Sequence, residues 1–189
     1  MSKIVFLDID GVLVNRASLM NRENKWTHSN CAPECVAALN RLIEHTEAAI
    51  VVSSVWRIGA SLAELRDILH GHFGMKGKVI GKTPRFPYND IPGTTDLSEE
   101  MRGMEIDRWL QDHGDRYAVE SFVILDDDSD MGIHKDRLVQ TAFEVGLTDA
   151  NVDRAVQVLA IPWRKRTMAR ANARRKIKKL KEEQQRGTV

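Results

Sequence analysis

Long apolar runs are missing from this chain. None approaches the roughly 20 consecutive residues that a bilayer-spanning helix requires, which excludes a helical membrane protein on sequence grounds. The N-terminal apolar segment, Ile4 to Leu7, is too short for a secretory leader and gives way at once to Asp8 and Asp10. A cytoplasmic protein with no membrane contact is therefore expected. Cysteine is scarce: Cys31 and Cys35, in CAPEC, have no second ligand pair nearby, so a zinc site would be incomplete. Two reduced thiols near a helix start are the expected reading. The six histidines, at 28, 45, 70, 72, 113 and 134, lack the spacing of a metal site and are expected on the surface or in loops.

What remains is enough for one ordinary domain with a sizeable core: 189 residues, 42% of them hydrophobic. The net charge of +1 conceals an asymmetry. From Arg164 to Val189 eleven Lys or Arg stand against two Glu, whereas residues 1–163 hold 17 basic and 25 acidic side chains, a net of −8. Body and tail differ in kind, which sets the expected division at a domain over 1–162 and a basic helix or tail over 163–189.

Short, continuous apolar segments recur along the body, the pattern of strands buried on both faces of a parallel sheet. They are Lys3 to Leu7, Ala48 to Ser54, Lys78 to Gly81 and Phe122 to Leu125, with Arg137 to Thr141 as a fifth candidate. Helical spacing separates them. Pro33 precedes Val36, Leu39, Leu42 and Ile43; Leu62, Leu65, Ile68 and Leu69 mark a second helix that Gly71 and Gly74 would end. Ser98 opens a third, carrying Met104, Ile106, Trp109 and Leu110, and Thr148 a last one with Val152, Ala155, Val156 and Leu159. Residues 83–95, with three prolines and Gly93, read as a loop. Strands alternating with helices predict a doubly wound α/β, Rossmann-like parallel sheet with helices on both faces.

In such sheets ligands bind outside the carboxyl ends of the strands. Asp8 and Asp10 leave the first strand, Ser53 and Ser54 the second, and Asp126, Asp127 and Asp128 the fourth. Alternation along a strand puts residues two apart on the same side, so Asp8 and Asp10 are expected to face one site. Clustered carboxylates repel and lose solvation when buried, so such a group calls for a cation. Hard oxygen ligands suit Mg2+. A carboxylate can attack phosphorus to give an aspartyl phosphate, and a second one can protonate the leaving oxygen and later activate water. A hydroxyl, backbone amides and one cationic side chain would hold the phosphoryl oxygens. Phosphoryl transfer is the chemistry this set permits.

The stretch FLDIDGVL resembles the first motif of the haloacid dehalogenase-like (HAD) phosphohydrolases, IVVSS their second and FVILDDDSD their fourth, in the family's order. More narrowly, SSVWR, RGMEIDRWL, VILDDDSDM and RLVQTAFEVGLT resemble the HAD domain of RNA-repair and phage proteins. The resemblance implies that Asp8 is the nucleophile and a metal ligand. It makes Asp10 the general acid/base, its main-chain carbonyl also on Mg2+, and Ser53 a phosphate ligand. Ser54 is either a second phosphate contact or the start of a turn. Asp126 or Asp127 would hold the metal, with Asp128 and Asp130 leaving that choice open. For the cation of the third motif Arg102 is the first candidate and Lys82, placed just beyond the third strand, the second. Trp56 and Arg57 are read as packing at the strand edge. Trp26, with Arg16, Arg22 and Lys25, would belong to a flap over the site.

Neither inter-motif segment is long enough for a cap domain of the usual HAD size, so an open site is expected. Apolar residues such as Met168, Ile177 and Leu180 are sparse in the tail, which would form a solvated basic helix. Such a face attracts phosphate backbones. The sequence thus predicts a Mg2+-dependent phosphatase acting on an RNA or DNA end or a nucleotide. A small-metabolite phosphatase and a non-catalytic nucleic-acid-binding module are the alternatives.

Overall fold

The computed structural model describes residues 2–21, 30–86 and 101–163. Its elements follow in the order β1 (Ser2–Leu7), α1 (Arg16–Met20), α2 (Pro33–Thr46), β2 (Ala49–Val52), α3 (Leu62–Arg66), β3 (Val79–Lys82), α4 (Met101–His113), β4 (Val119–Asp126), β5 (Leu138–Gln140) and α5 (Asp149–Leu159). The five strands form one parallel sheet in the order β3-β2-β1-β4-β5.

Strict alternation divides the strand residues between two cores, which is why the strand segments are apolar throughout. Val5, Leu7, Ile50, Val52, Val123 and Leu125 pack with α2, α3 and α5. Ile4, Phe6, Val51, Phe122 and Ile124 face the other way, toward Ile106, Trp109 and Leu110 of α4. Phe6 lies edge-on to both Trp109 and Phe122, with centroids 5.4 and 5.5 Å apart. Helices cover both faces, and among the described residues no separate cap domain stands over the strand ends. No helix among these residues is long and apolar enough to cross a membrane.

Local signals account for several boundaries. Pro33 occupies the first turn of α2, where its missing N–H costs nothing. Thr148 caps α5 in a reciprocal box with Asn151. Other boundaries differ from expectation. Gly71 does not end α3: the chain continues through a wider helical turn, Asp67–His72, closed by Phe73 N–H donating to the Ile68 carbonyl, and the exit falls to Gly74 at φ 65°. A helical glycine costs only about 1 kcal/mol, too little to stop the helix there.

Lys82 is the last residue of β3 rather than the first beyond it. β4 begins three residues earlier than its apolar run, because buried Ser121 satisfies its hydroxyl on the Ile161 carbonyl (2.8 Å). Arg137 precedes β5, and its buried guanidinium donates to the carbonyls of Val158, Ile161 and Pro162. His134 is buried, not exposed: its ring meets the Phe122 edge and its Nε2 lies 3.2 Å from Asp107 Oδ1, a partner supplied by α4. Cys31 and Cys35 are free, buried thiols. The expected flap around Trp26, the helix start at Ser98, most of the 83–95 loop and the basic tail lie outside the described residues.

Gly103 sits where α4 meets the turn after β4. Its N–H donates to the Asp130 carbonyl (3.1 Å), and a Cβ there would overlap the Met131 carbonyl. On an exposed helix, glycine to alanine stabilises by about 1 kcal/mol. Here the backbone clash reverses the sign. Gly103→Ala is expected to destabilise by about 2 kcal/mol, read as a lower urea midpoint at unchanged slope; a raised midpoint would show that α4 does not pack this closely.

Candidate active site

Chain order reverses at β1: the next strand, β2, pairs on one side of it and β4 on the other. Open α/β sheets bind ligands at such a switch point, beyond the carboxyl ends of the two strands. Leu7 and Leu125 are in register, and Asp8 N–H donates to the Leu125 carbonyl (2.9 Å). That register sets Asp8 beside Asp126, the last residue of β4.

Asp8 is buried, with Oδ1 accepting the Ile9 N–H at 2.7 Å. The strand does not continue to Asp10. Instead the N–H groups of Val12, Leu13 and Val14 converge on the Ile9 carbonyl, and Gly11 takes φ 77°. This turn leaves Asp10 half-buried, its Oδ2 accepting the Trp56 indole N–H at 2.9 Å. Gly11 meets two demands at once: the left-handed backbone suits glycine, and a Cβ would overlap the Asp127 carboxylate. Its carbonyl accepts the Thr141 hydroxyl (2.8 Å), tying the turn to the end of β5.

Arg102, in the first turn of α4, reaches into this pocket. Its Nη2 lies 3.5 Å from Asp8 Oδ2, its Nε 3.4 Å from Asp126 Oδ2 and its Nη1 4.0 Å from Glu105 Oε2, while Nη1 donates to the Ser53 carbonyl. Burial opposes its charge, but Asp8, Asp126, Glu105 and Asp130 outweigh that and raise its pKa. Lys82 is placed differently: its ammonium donates to the carbonyls of Arg57 (3.2 Å) and Ala60 (2.5 Å). Of the two candidate cations, Arg102 is the one ion-paired with Asp8.

Ser53 is fully buried and its hydroxyl has no hydrogen-bond partner among the described residues. Ser54 caps the short helical turn Val55–Arg57 through the Trp56 N–H (3.4 Å), and its hydroxyl lowers the pKa of Asp8. The acids after β4 separate by position. One oxygen from each of Asp8, Asp126 and Asp127 lies within 4.8 Å of the others. Asp128 is exposed and gives its N–H to Asp126 Oδ1 (3.0 Å); Asp130 Oδ2 accepts the Arg102 N–H (3.1 Å) and so holds the start of α4. The Asp10 carboxylate is not among the three clustered carboxylates; the metal contact expected of that residue is through its main-chain carbonyl.

These carboxylates fit a hard divalent cation. Asp126 Oδ2 is buried without a hydrogen bond among the described residues. Burial pushes Asp8 up to about 6, against the pull of Arg102, and burial together with the charge on Asp8 pushes Asp126 up to about 8. Burial and Asp128 raise Asp127 as well. Three oxygens that resist ionisation together would ionise readily around Mg2+.

Three residues gain importance that their sequence positions did not announce. Trp56 holds Asp10. Arg57, read as edge packing, is buried and donates to the carbonyls of Ser54 (2.6 Å), Thr83 (3.1 Å) and Pro84 (3.3 Å) and to Glu105 Oε2 (2.5 Å). Glu105, one turn after Arg102, is buried beneath both arginines. The Arg102–Glu105 spacing of three is the one signal that could have found it.

Residues 4–152 match the family described as the HAD domain in Swiss Army Knife RNA repair proteins. The chain belongs to that family. The match runs from β1 into α5 and includes Asp8, Asp10, Ser53, Arg102, Asp126 and Asp127. No curated protein and no solved structure matches the chain.

The raised carboxyls fix the sign of a pH effect. Without metal the folded state holds protons on Asp8 and Asp126 that unfolded carboxyls, near 4, have already released. The stability these two groups contribute is therefore fully present at low pH and is lost as pH rises from about 4 to about 8. The metal-free protein should show a Tm at pH 8 below that at pH 5.5, and Mg2+ should raise it by about 5 °C or more at pH 8 but little at pH 5.5. Asp126→Asn should remove most of the slope. A metal-free Tm that climbs from pH 5.5 to 8 would contradict the assignment.

Proposed function

We propose that this HAD domain is a Mg2+-dependent phosphomonoesterase working through a phosphoryl-Asp8 intermediate, with a phosphorylated nucleic-acid end as its leading substrate and a nucleotide as the second. The observation that carries the reading is the pairing at the switch point. A buried carboxylate, Asp8, faces a buried guanidinium, Arg102, while a second carboxylate, Asp10, is held apart on Trp56.

One Asp8 oxygen attacks phosphorus as the P–O bond to the leaving oxygen breaks. Asp10 gives its proton to that oxygen, using the carboxyl oxygen that Trp56 leaves open. Asp10 then takes a proton from water, which attacks phosphorus and breaks the P–O bond to Asp8, releasing phosphate and restoring both aspartates. Arg102 and the unpartnered Ser53 hydroxyl bind the phosphoryl oxygens, in a site dry enough for each contact to count. Mg2+ held by Asp8, Asp126, Asp127 and the Asp10 main-chain carbonyl would offset the negative charge gathered there.

Three observations support the substrate class. The matched family is described by RNA repair. No cap domain among the described residues closes the site to a polymer end. The run from Arg164 to Val189, with nine net positive charges, suits a phosphate backbone.

A direct test measures phosphate release from 3′- and 5′-phosphorylated RNA and DNA oligonucleotides, free nucleotides and an aryl phosphate, in Mg2+ or EDTA. Release should require Mg2+, fall by about 10³-fold or more in Asp8→Asn, and fall by about 10²- to 10⁴-fold in Asp10→Asn. Oligonucleotides should be the best substrates, and added salt should depress their turnover more than that of the aryl phosphate. A folded protein that releases phosphate from none of them would overturn the reading.

A further inference from the structure

The Arg57–Glu105 pair has no part in the chemistry proposed above, yet it is buried to 4% and 7% side-chain exposure and fully engaged. Arg57 joins the loop after β2, through Ser54, to the loop after β3, through Thr83 and Pro84. Glu105 joins both to α4, and its other oxygen accepts the Phe86 N–H (3.4 Å). The same Oε2 that meets Arg57 lies 4.0 Å from the Arg102 guanidinium.

Arg102 therefore stands among three buried acids rather than two, and its distances are uneven. Its close hydrogen bond goes to the Ser53 carbonyl, on the Glu105 side, through the Nη1 atom that also faces Glu105. Toward Asp8 and Asp126 it stops at 3.5 and 3.4 Å, well beyond the 2.7–2.9 Å or so of a charge-assisted hydrogen bond. Asp126 Oδ2 consequently keeps no hydrogen bond among the described residues. Were Arg102 to close onto these oxygens, it would occupy the atoms that the cation and the phosphoryl group require.

We infer that Glu105, itself fixed by Arg57, is a positioning residue that holds the Arg102 guanidinium back from Asp8 and Asp126, keeping those carboxylates open for metal and substrate. The inference rests on the phosphatase reading and assigns a task to residues that reading leaves out. Glu105→Gln keeps the shape and removes the charge, so Arg102 should close onto the acids. Glu105→Asp keeps the charge and should restore much of the loss.

The test titrates Mg2+ against two readouts, phosphate release and the rise in Tm. In Glu105→Gln the Mg2+ midpoint should rise about tenfold in both, with kcat at saturating Mg2+ reduced much less; Glu105→Asp should recover most of the shift. Adding Glu105→Gln to Arg102→Ala should leave the Tm midpoint of Arg102→Ala unchanged, because the effect runs through that guanidinium. Should Glu105→Gln fail to fold, Arg57→Lys, which loosens the same anchor, should shift the midpoint in the same direction. Equal midpoints in the wild type and a folded variant, or a shift that persists without Arg102, would overturn the inference alone. A wild type that neither releases phosphate nor responds to Mg2+ would overturn it together with the phosphatase reading.

Discussion

Carboxylate crowding at the meeting of β1 and β4 is the constraint from which the site follows. Two parallel strands in register end side by side, each with an aspartate, in a place both sheet faces keep dry. Like charges at such separation cannot both ionise without compensation, and the nearby elements supply it. The first turn of α4 brings Arg102, the Ile9–Val14 turn carries Asp10 away onto Trp56, and Gly11 leaves room for Asp127 to come in beneath it. Gly103, which lets α4 approach the turn after β4 so closely, belongs to the same arrangement, because α4 fixes where Arg102 starts.

Compensation is also incomplete, in a consistent direction. Asp126 Oδ2, Asp130 Oδ1 and the Ser53 hydroxyl are all buried without hydrogen bonds among the described residues. Buried polar groups are usually satisfied, and these three, with the Thr83 hydroxyl, are the buried side-chain atoms that stay unpaired among the described residues. By contrast Arg57 is saturated, with every described contact internal.

The sheet was legible because its strands are short apolar runs, and the convergence of Asp8, Ser53 and Asp126 followed from the rule that ligands sit at strand carboxyl ends. Other features depended on contacts that no linear pattern displays. The buried ties of Ser121 and Arg137 to the Ile161 carbonyl have no signature in the sequence, and His134 looks exposed until Asp107 and Phe122 enclose it. The expected alternation through Asp8 and Asp10 failed for a local reason: glycine after Asp10 permits a left-handed turn, and the chain took it. The sequence already favours Arg102 over Lys82 for its place at the start of a helix, and the packing of α4 across the second face of the sheet brings it, not Lys82, against Asp8.

Two aspartates that differ by two positions thus end in unlike surroundings, as the proposed two-step transfer would require. Asp8 is enclosed, fixed by a backbone N–H and faced by a guanidinium, so it is held as an aimed oxygen. Asp10 stands half in solvent on an indole N–H, with one oxygen engaged and access to water. Unlike environments around paired carboxylates are how one site assigns different roles to identical groups. In the proposed mechanism that difference would rest on a single turn and one tryptophan. The indole comes from the loop after β2, which Arg57 ties to the loop after β3 and to α4, so the placement of Asp10 and the placement of Arg102 share one buried anchor.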